Sequence, residues 1–526
     1  MPEAAVAAVV AGILAAVFAW LLPPGPDFAA HAYYVQVYAH HGFALWNNLW
    51  YSGSYSFVTY SLLYYPLAAL VGIRPLAVLS IAAAAFALSL LLRREFGRAA
   101  VWPTRAFAVL WPCVLLSAAF PFALGSALML AGLCVLQRRR LVWFALLALL
   151  TLAASPLAFA FLAVVVGGIA IGRRVDRRTL LAAGASVLGV CVLYAAVKRA
   201  FPDGGFYPFP AGALLAALVF CVFGAALIWR VAPARVLRPF FVLYALACVA
   251  AFLVPSPLGA NVTRLRFAAV PIALLLFALR DWRPRKVVVA GMALAAVWNI
   301  QPVVANVEGS TADASTRADY WAPAVRYLKR HLDPSYRVEV VDTVGHWGAT
   351  YLPRAGIPLT RGWFRQYDFP QNKLLYGSLG PAAYRHWLRG LGVQYVVLTS
   401  APPDYSSAAE ADLVGSGRAG LHPVFRSPRV RIYAVPSPRE LVTGPGRARV
   451  LRLTPQRIIL RVGSPGTYRV AVRSSAYWHV RRACLSDGPD GMLRVATPRA
   501  GIVSLHFDVD ASGVLAALGG DAAPPC

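Results

Sequence analysis

Eleven segments in the first 304 residues are almost uniformly apolar, with no polar stripe at helical or strand spacing: 4–22, 75–92, 105–119, 121–136, 141–154, 157–172, 179–197, 211–229, 239–254, 267–279 and 287–304. A helix that is apolar all round is either deeply buried or crosses a bilayer. Several of these segments fall short of the roughly 20 residues that span a membrane unaided, which predicts tilt or local thinning. Residues 57–73 are apolar too, but rich in Tyr and punctuated by Pro66. They read as an interfacial or re-entrant helix rather than a twelfth span.

Past residue 304 the pattern changes. Residues 320–331 and 384–391 carry helical spacing, 337–341 alternates, and 394–398 reads as a buried strand. A stretch rich in Pro, Ser and Gly follows, and then short strands at 429–435, 457–462, 468–472 and 503–509. The predicted architecture is a polytopic α-helical membrane protein followed by an α/β unit and a terminal β-sandwich. Its predicted domains are 1–304, with a long first outer loop at 23–73, then 305–425 and 426–526.

Composition agrees, since 59% of side chains are hydrophobic and only 14% charged, with a mean hydropathy of +0.60. Of the 22 Asp and Glu residues, 16 lie beyond residue 304. The net charge of +28 would point to nucleic acid in a soluble chain. Here much of the cationic charge instead gathers in five clusters between apolar segments: 93–105, 138–140, 173–178, 230–238 and 280–286. Basic loops collect on the cytoplasmic side. That bias sets the N-terminus inside, puts the C-terminal domains outside, and removes the need for a nucleic-acid partner.

The same topology leaves only Asp27 and Asp203 as outer carboxylates within the first 304 residues. Asp27 follows the first span in Pro-Gly-Pro-Asp-Phe-Ala-Ala-His, where it enters a short helix, and His31 falls on the same helical face. Segment 4–22 lacks the basic n-region of a cleaved leader, so Asp27 is expected to stay with the chain. Two ligands are too few for a metal, and no Cys-x-x-Cys or His-Glu-x-x-His spacing occurs. No cofactor is expected. Five cysteines fall within spans as packing residues, while Cys484 and Cys526 are free to pair in an oxidising compartment.

Beyond Asp27 the outer loop carries Trp46, Asn47, Asn48, Trp50 and Tyr51. That run suits a wall on which a sugar stacks, or equally an interfacial aromatic belt. Arg264 and Arg266 lie on the outer side, against the positive-inside bias, beside Asn261. They are suited to a lipid phosphate or to headgroup snorkelling. In the outer domain, residues 345–348 and 361–368 collect His, Trp, Arg and Asp into a stretch suited to a glycan or to a polar core. Gly415-Ser-Gly-Arg-Ala-Gly420 matches a dinucleotide pattern but follows no clean strand and falls in the outer domain, so it is not expected to bind a nucleotide.

An acid just past the first span, a long aromatic outer loop, many short spans and an outer tail together resemble the type C (GT-C) membrane glycosyltransferases. The Trp-Asn-Asn-Leu-Trp-Tyr-x-Gly run, the Tyr-Ser-Leu-Leu-Tyr-Tyr-Pro-Leu segment and Gly-x-Asn-x-x-Arg at 259–264 are similar to bacterial and archaeal membrane proteins labelled 6-pyruvoyl-tetrahydropterin-synthase-related. No soluble pterin-enzyme pattern accompanies them. The resemblance implies an inverting, metal-independent transfer from a polyprenyl-phosphate-linked sugar to an envelope glycan or lipid acceptor, at the outer face of the plasma membrane. It places Asp27 beside the acceptor as base. The expected substrate-binding set is His31, Trp46, Asn47, Asn48, Trp50, Tyr51, Asn261, Arg264 and Arg266. Two other classes remain open: a lipid-linked glycan flippase, and a non-catalytic scaffold for polysaccharide assembly.

Overall fold

The computed structural model describes residues 2–53, 61–172, 176–202, 205–235, 237–311 and 313–520. Arg173, Arg174, Asp203 and Cys526 therefore lie outside the described residues. The chain divides into two compact units, one of Met1–Phe28, Tyr60–Ala195 and Phe206–Thr311, the other of Ala29–Thr59, Ala196–Gly205 and Ala312–Cys526.

In the first unit, helices α1 (Pro2–Leu21), the start of α2 (Phe28–His41), α3 (Tyr64–Val71), α4 (Ile73–Phe96), α5 (Val101–Leu110), α6 (Phe120–Gln137), α7 (Leu141–Ala154) and α8 (Pro156–Gly172) lead into α9 (Arg177–Ala200). Helices α10 (Ala211–Ile228), α11 (Leu237–Leu253), α12 (Ala269–Ala278) and α13 (Arg285–Thr311) follow. Helix overlies each of the eleven apolar segments. Among the described residues, six helical stretches are long and apolar enough to cross a membrane. Helix α3 has only 8 residues and rises about 12 Å, too little to cross. The segment before it is tied down, because Ser61 Oγ donates to Ala154 O at 2.8 Å and Leu62 N donates to Ala153 O at 2.9 Å.

Small residues set the helix spacing, as they do where lipid removes any hydrophobic drive between helices. Helix α1 buries Ala4, Ala7, Ala11 and Ala15 along one stripe and packs on α4. A Cβ at Gly125 of α6 would meet Ser155 Cβ at 2.7 Å, so that crossing admits only glycine. The basic clusters share helix ends in pairs. Arg105 Nε binds Glu3 at 2.8 Å, and Arg139 lies 3.4 Å from Asp176. Arg238 and Arg280 both cap carbonyls at the C-terminus of α10.

The second unit holds a mixed sheet and two antiparallel ones. Strands β1 (Arg337–Val340), β2 (Val393–Thr399), β3 (His422–Arg426) and β4 (Val430–Ala434) form one sheet in the order β1-β2-β4-β3. Strands β1 and β2 are parallel, which demands a crossover, and α15 (Gly348–Arg354), α16 (Arg365–Gln371) and α17 (Pro381–Gly390) supply it. Helix α14 (Ala318–His331) precedes that sheet and α18 (Ala408–Gly415) lies between β2 and β3.

Next come β5 (Val442–Thr443), β6 (Ala448–Thr454), β7 (Arg457–Val462), β8 (Gly466–Arg473), β9 (Trp478–Val480), β10 (Cys484–Asp487), β11 (Met492–Thr497) and β12 (Gly501–Phe507). They build two four-stranded sheets, β10-β11-β8-β5 and β6-β7-β12-β9, whose inward residues share one core around Leu460, Tyr468, Trp478, Leu493 and Leu505. Helix α19 (Ala511–Gly519) closes the described chain. Cys484 is disulfide-bonded.

The expected boundaries shift in two places. Strand β4, expected in the terminal sandwich, pairs with β2 and β3 in the α/β sheet, so the cut at 425/426 falls within β3 and parts the β3–β4 hairpin. Much of the expected outer loop, residues 29–59, belongs to the second unit. The Gly415–Gly420 stretch runs from the end of α18 into a turn, where Gly417 and Gly420 take φ of +77° and +66°; these glycines meet a backbone need.

Candidate active site

Asp27 sits in the first unit in a tight turn, with Phe28 N donating to Gly25 O at 3.0 Å, immediately ahead of α2 in the N-cap position. Gly25 presses on the 3-10 segment Trp111–Ser117 and its end, where a Cβ would meet Leu116 O at 2.3 Å and Ala118 N at 2.9 Å. Glycine at 25 is thus what lets the turn seat against this segment. The carboxylate keeps 35% of its surface and lies 3.8 Å, Oδ2 to Nη2, from Arg264. The two residues reach each other from opposite ends of the unit's sequence.

Arg264 comes from a second 3-10 segment, Gly259–Ala268. Gly259 takes φ of +42° and packs so closely on Tyr207 O that no side chain fits. Tyr244 Oη donates to Val262 O at 3.0 Å, and Ala260 N donates to Pro208 O at 3.3 Å. The Arg264 guanidinium stands 5.7 Å from the Phe122 ring centroid at the start of α6. Phe28 meets Phe120 edge-on at 5.4 Å, Tyr64 stacks on Phe120, and Arg74 covers the Phe28 ring. A carboxylate and a cation thus sit on an aromatic floor.

Arg266 and Asn261 are half-buried on the segment that carries Arg264. The buried Nε of Arg266 has no hydrogen-bond partner among the described residues. A buried guanidinium with an unsatisfied N–H is suited to an anion.

The remaining expected site residues lie in the second unit, and all six are buried there: His31, Trp46, Asn47, Asn48, Trp50 and Tyr51 are each 3% exposed or less. Trp46 stacks on Phe507 and meets Trp478 edge-on, and its Nε1 donates to Asn48 Oδ1 at 2.9 Å. Asn48 Nδ2 donates to Thr454 O at 2.9 Å, and Asn47 Oδ1 accepts from Leu49 N at 3.0 Å. Trp50 stacks on Tyr33 and donates to Ala349 O at 2.7 Å, while Tyr51 Oη donates to Phe364 O at 2.8 Å. The expectation of a sugar-stacking wall is therefore corrected. These side chains lock residues 46–53 between the α/β sheet and the C-terminal sheets, and their amides satisfy buried backbone groups.

The 361–368 stretch is also interior. Arg361 forks onto Asp368 (Nε to Oδ1 2.9 Å, Nη2 to Oδ2 2.6 Å) and lies 3.6 Å from Glu410 and 4.0 Å from Glu339. Arg365 makes a second fork onto Asp404, and His346 Nδ1 pairs with Asp342 at 2.7 Å. Burial opposes ionisation of Asp368, yet the charge and fork of Arg361 hold its carboxyl below the ordinary value. Burial and then the neighbouring Glu410 push Glu339 well above 4.5. The polar-core alternative for 361–368 covers Arg361, Arg365 and Asp368, while Glu339 and Glu410 carry no signal in the sequence.

A carboxyl whose pKa is raised in the folded state holds its proton more tightly there than in the unfolded chain. Its contribution to stability is complete below 4.5 and is lost as pH rises toward the folded value. Glu339→Gln, a neutral isostere, is expected to gain on the parent chain as pH climbs from about 5 to about 8. Thermal unfolding of both proteins across that range checks it.

No family profile and no curated protein matches the sequence. Among solved structures the chain is similar to the arabinofuranosyltransferase AftD from Mycobacteria, at 18% identity and a TM-score of 0.47, covering 90% of this chain and 41% of that one. It is similar to the oligosaccharyltransferase of Archaeoglobus fulgidus in its apo form, at 14% identity and a TM-score of 0.45, covering 75% and 69% of the two chains. ArnT from Cupriavidus metallidurans bound to undecaprenyl phosphate gives 14% and 0.38, covering 83% and 97%. The chain spans about two fifths of the AftD length. At these identities and scores no residue's role passes from them to this chain.

Proposed function

We propose that this chain is a type C membrane glycosyltransferase that moves a sugar from a polyprenyl-phosphate donor to an envelope glycan or lipid acceptor at the outer face of the plasma membrane. The observation that carries the reading is the meeting of Asp27, half-exposed, with Arg264 at 3.8 Å. In the proposed step the acceptor oxygen attacks the anomeric carbon and its proton passes to the Asp27 carboxylate. The bond from that carbon to the phosphate oxygen breaks, and the polyprenyl phosphate departs with the electron pair. An ionised carboxylate accepts the proton that an attacking hydroxyl loses.

The leaving phosphate carries negative charge, which a preorganised guanidinium stabilises. Arg266 is assigned that contact because its Nε lacks a protein partner among the described residues, while Arg264 orients Asp27. In-line inversion sets base and leaving group on opposite sides of the sugar, so two separate cations serve it better than one. The topology proposed with it keeps the N-terminus cytoplasmic and the C-terminal sheets outside.

The test is a donor screen with the purified chain in liposomes. Label from a polyprenyl-phosphate sugar is expected to enter an envelope acceptor, and Arg266→Gln is expected to raise the donor KM about tenfold. Absence of transfer from every polyprenyl donor would count against the reading.

A further inference from the structure

The β3–β4 hairpin of the α/β sheet borders a cleft of about 530 Å³, lined by Leu398, Thr399, Ser400 and residues 426–431. Its size falls within the range of small-ligand sites, roughly 300–1,000 Å³. Its walls carry three arginines: Arg426, Arg429 and Arg431. Arg426 and Arg431 are directly opposite each other across the two strands, and neither forms an ion pair among the described residues. Like charges in that relation destabilise a sheet.

Arg429 is partly balanced, with Nη1 lying 3.1 Å from Asp319 Oδ2. The hairpin turn that presents it is fixed by Ser427 N donating to Val430 O at 2.8 Å and Val430 N donating to Ser427 Oγ at 3.0 Å. Beneath the cleft, Tyr320 Oη accepts from Ala401 N at 2.8 Å and bonds the Ser400 hydroxyl at 3.1 Å. Thr399 pairs with Val430, and its hydroxyl is buried away from the cleft. Cations in excess of acids and a rigid floor share one concavity.

We infer that this cleft binds an oxyanion, a phosphate or a carboxylate, carried on a small molecule. Arg426 and Arg431 would bridge the anion and relieve their mutual repulsion. This inference is independent of Asp27 and its chemistry.

Titration calorimetry on the full chain in detergent, with glucose 1-phosphate, glucuronate and glucose as probes, tests it. The phosphate, the carboxylate or both are expected to bind, glucose is not, and added salt is expected to weaken the binding. Arg426→Gln with Arg431→Gln is expected to weaken it about tenfold or more per arginine, with an unfolding temperature no lower than the parent's. The inference is overturned if neither anion binds at millimolar concentration, if glucose binds as well as its phosphate, or if the double variant matches the parent.

Discussion

Replacing Asp27 by Asn is expected to lower sugar transfer by roughly 10²- to 10⁴-fold, the usual worth of a positioned general base. The substitution separates the proposed base role from a cap at the start of α2. Asn caps a helix about as well as Asp, so the turn from Gly25 to α2 and the unfolding temperature should survive it. A residue that only capped α2 would leave transfer intact. A carboxylate that takes the acceptor proton would not, because the amide accepts no proton at neutral pH. Initial rates at equal protein, with thermal unfolding measured on the same preparations, read both effects.

The largest expected loss of stability falls in the second unit. Arg361→Met is expected to cost about 3–5 kcal/mol, because it removes the cation from a buried cluster and leaves its acids behind. Asp368 loses both arms of its fork and keeps only Asn372 at 2.8 Å and Tyr376 at 2.8 Å. Ser406 and Ser407 lose a donor, and Glu339 and Glu410 lose the nearest positive charge. In a domain of this size that cost lowers Tm by roughly 6 to 20 °C. Arg361→Lys should recover only part of it, since an ammonium cannot reproduce the two-armed contact. Thermal unfolding of the three proteins at one pH decides the order: parent, Lys, Met.

Much of the fold is legible in residue patterning, for physical reasons that also mark where legibility ends. Uniformly apolar stretches place the helices of the first unit to within a few residues, and the side bias of arginine singles out Asp27 and Arg264 before any contact is seen. Closure over long sequence distances leaves no such trace. Trp46 and Trp50 carry the same composition whether they line a sugar site, sit in an interfacial belt or fill a core. Only their burial against Phe507 and Ala349 distinguishes these roles. Alternation locates β4 but does not say which sheet takes it, because pairing with β2 is a register choice between distant segments. The polar-core alternative for 361–368 anticipates Arg361 and Asp368, but Glu339 and Glu410 come from other elements and look like surface charges until Arg361 gathers them.

The central claim is bond formation: one glycosidic linkage made for each polyprenyl phosphate set free. It is tested by counting both products, over time, from a single polyprenyl-phosphate sugar in sealed proteoliposomes that contain the purified chain and an envelope acceptor. The account predicts that the two counts rise together at a ratio near one and that both fall with Asp27→Asn. Passage of intact donor across the bilayer with no glycosidic bond formed would contradict it and assign the chain to lipid-linked sugar translocation.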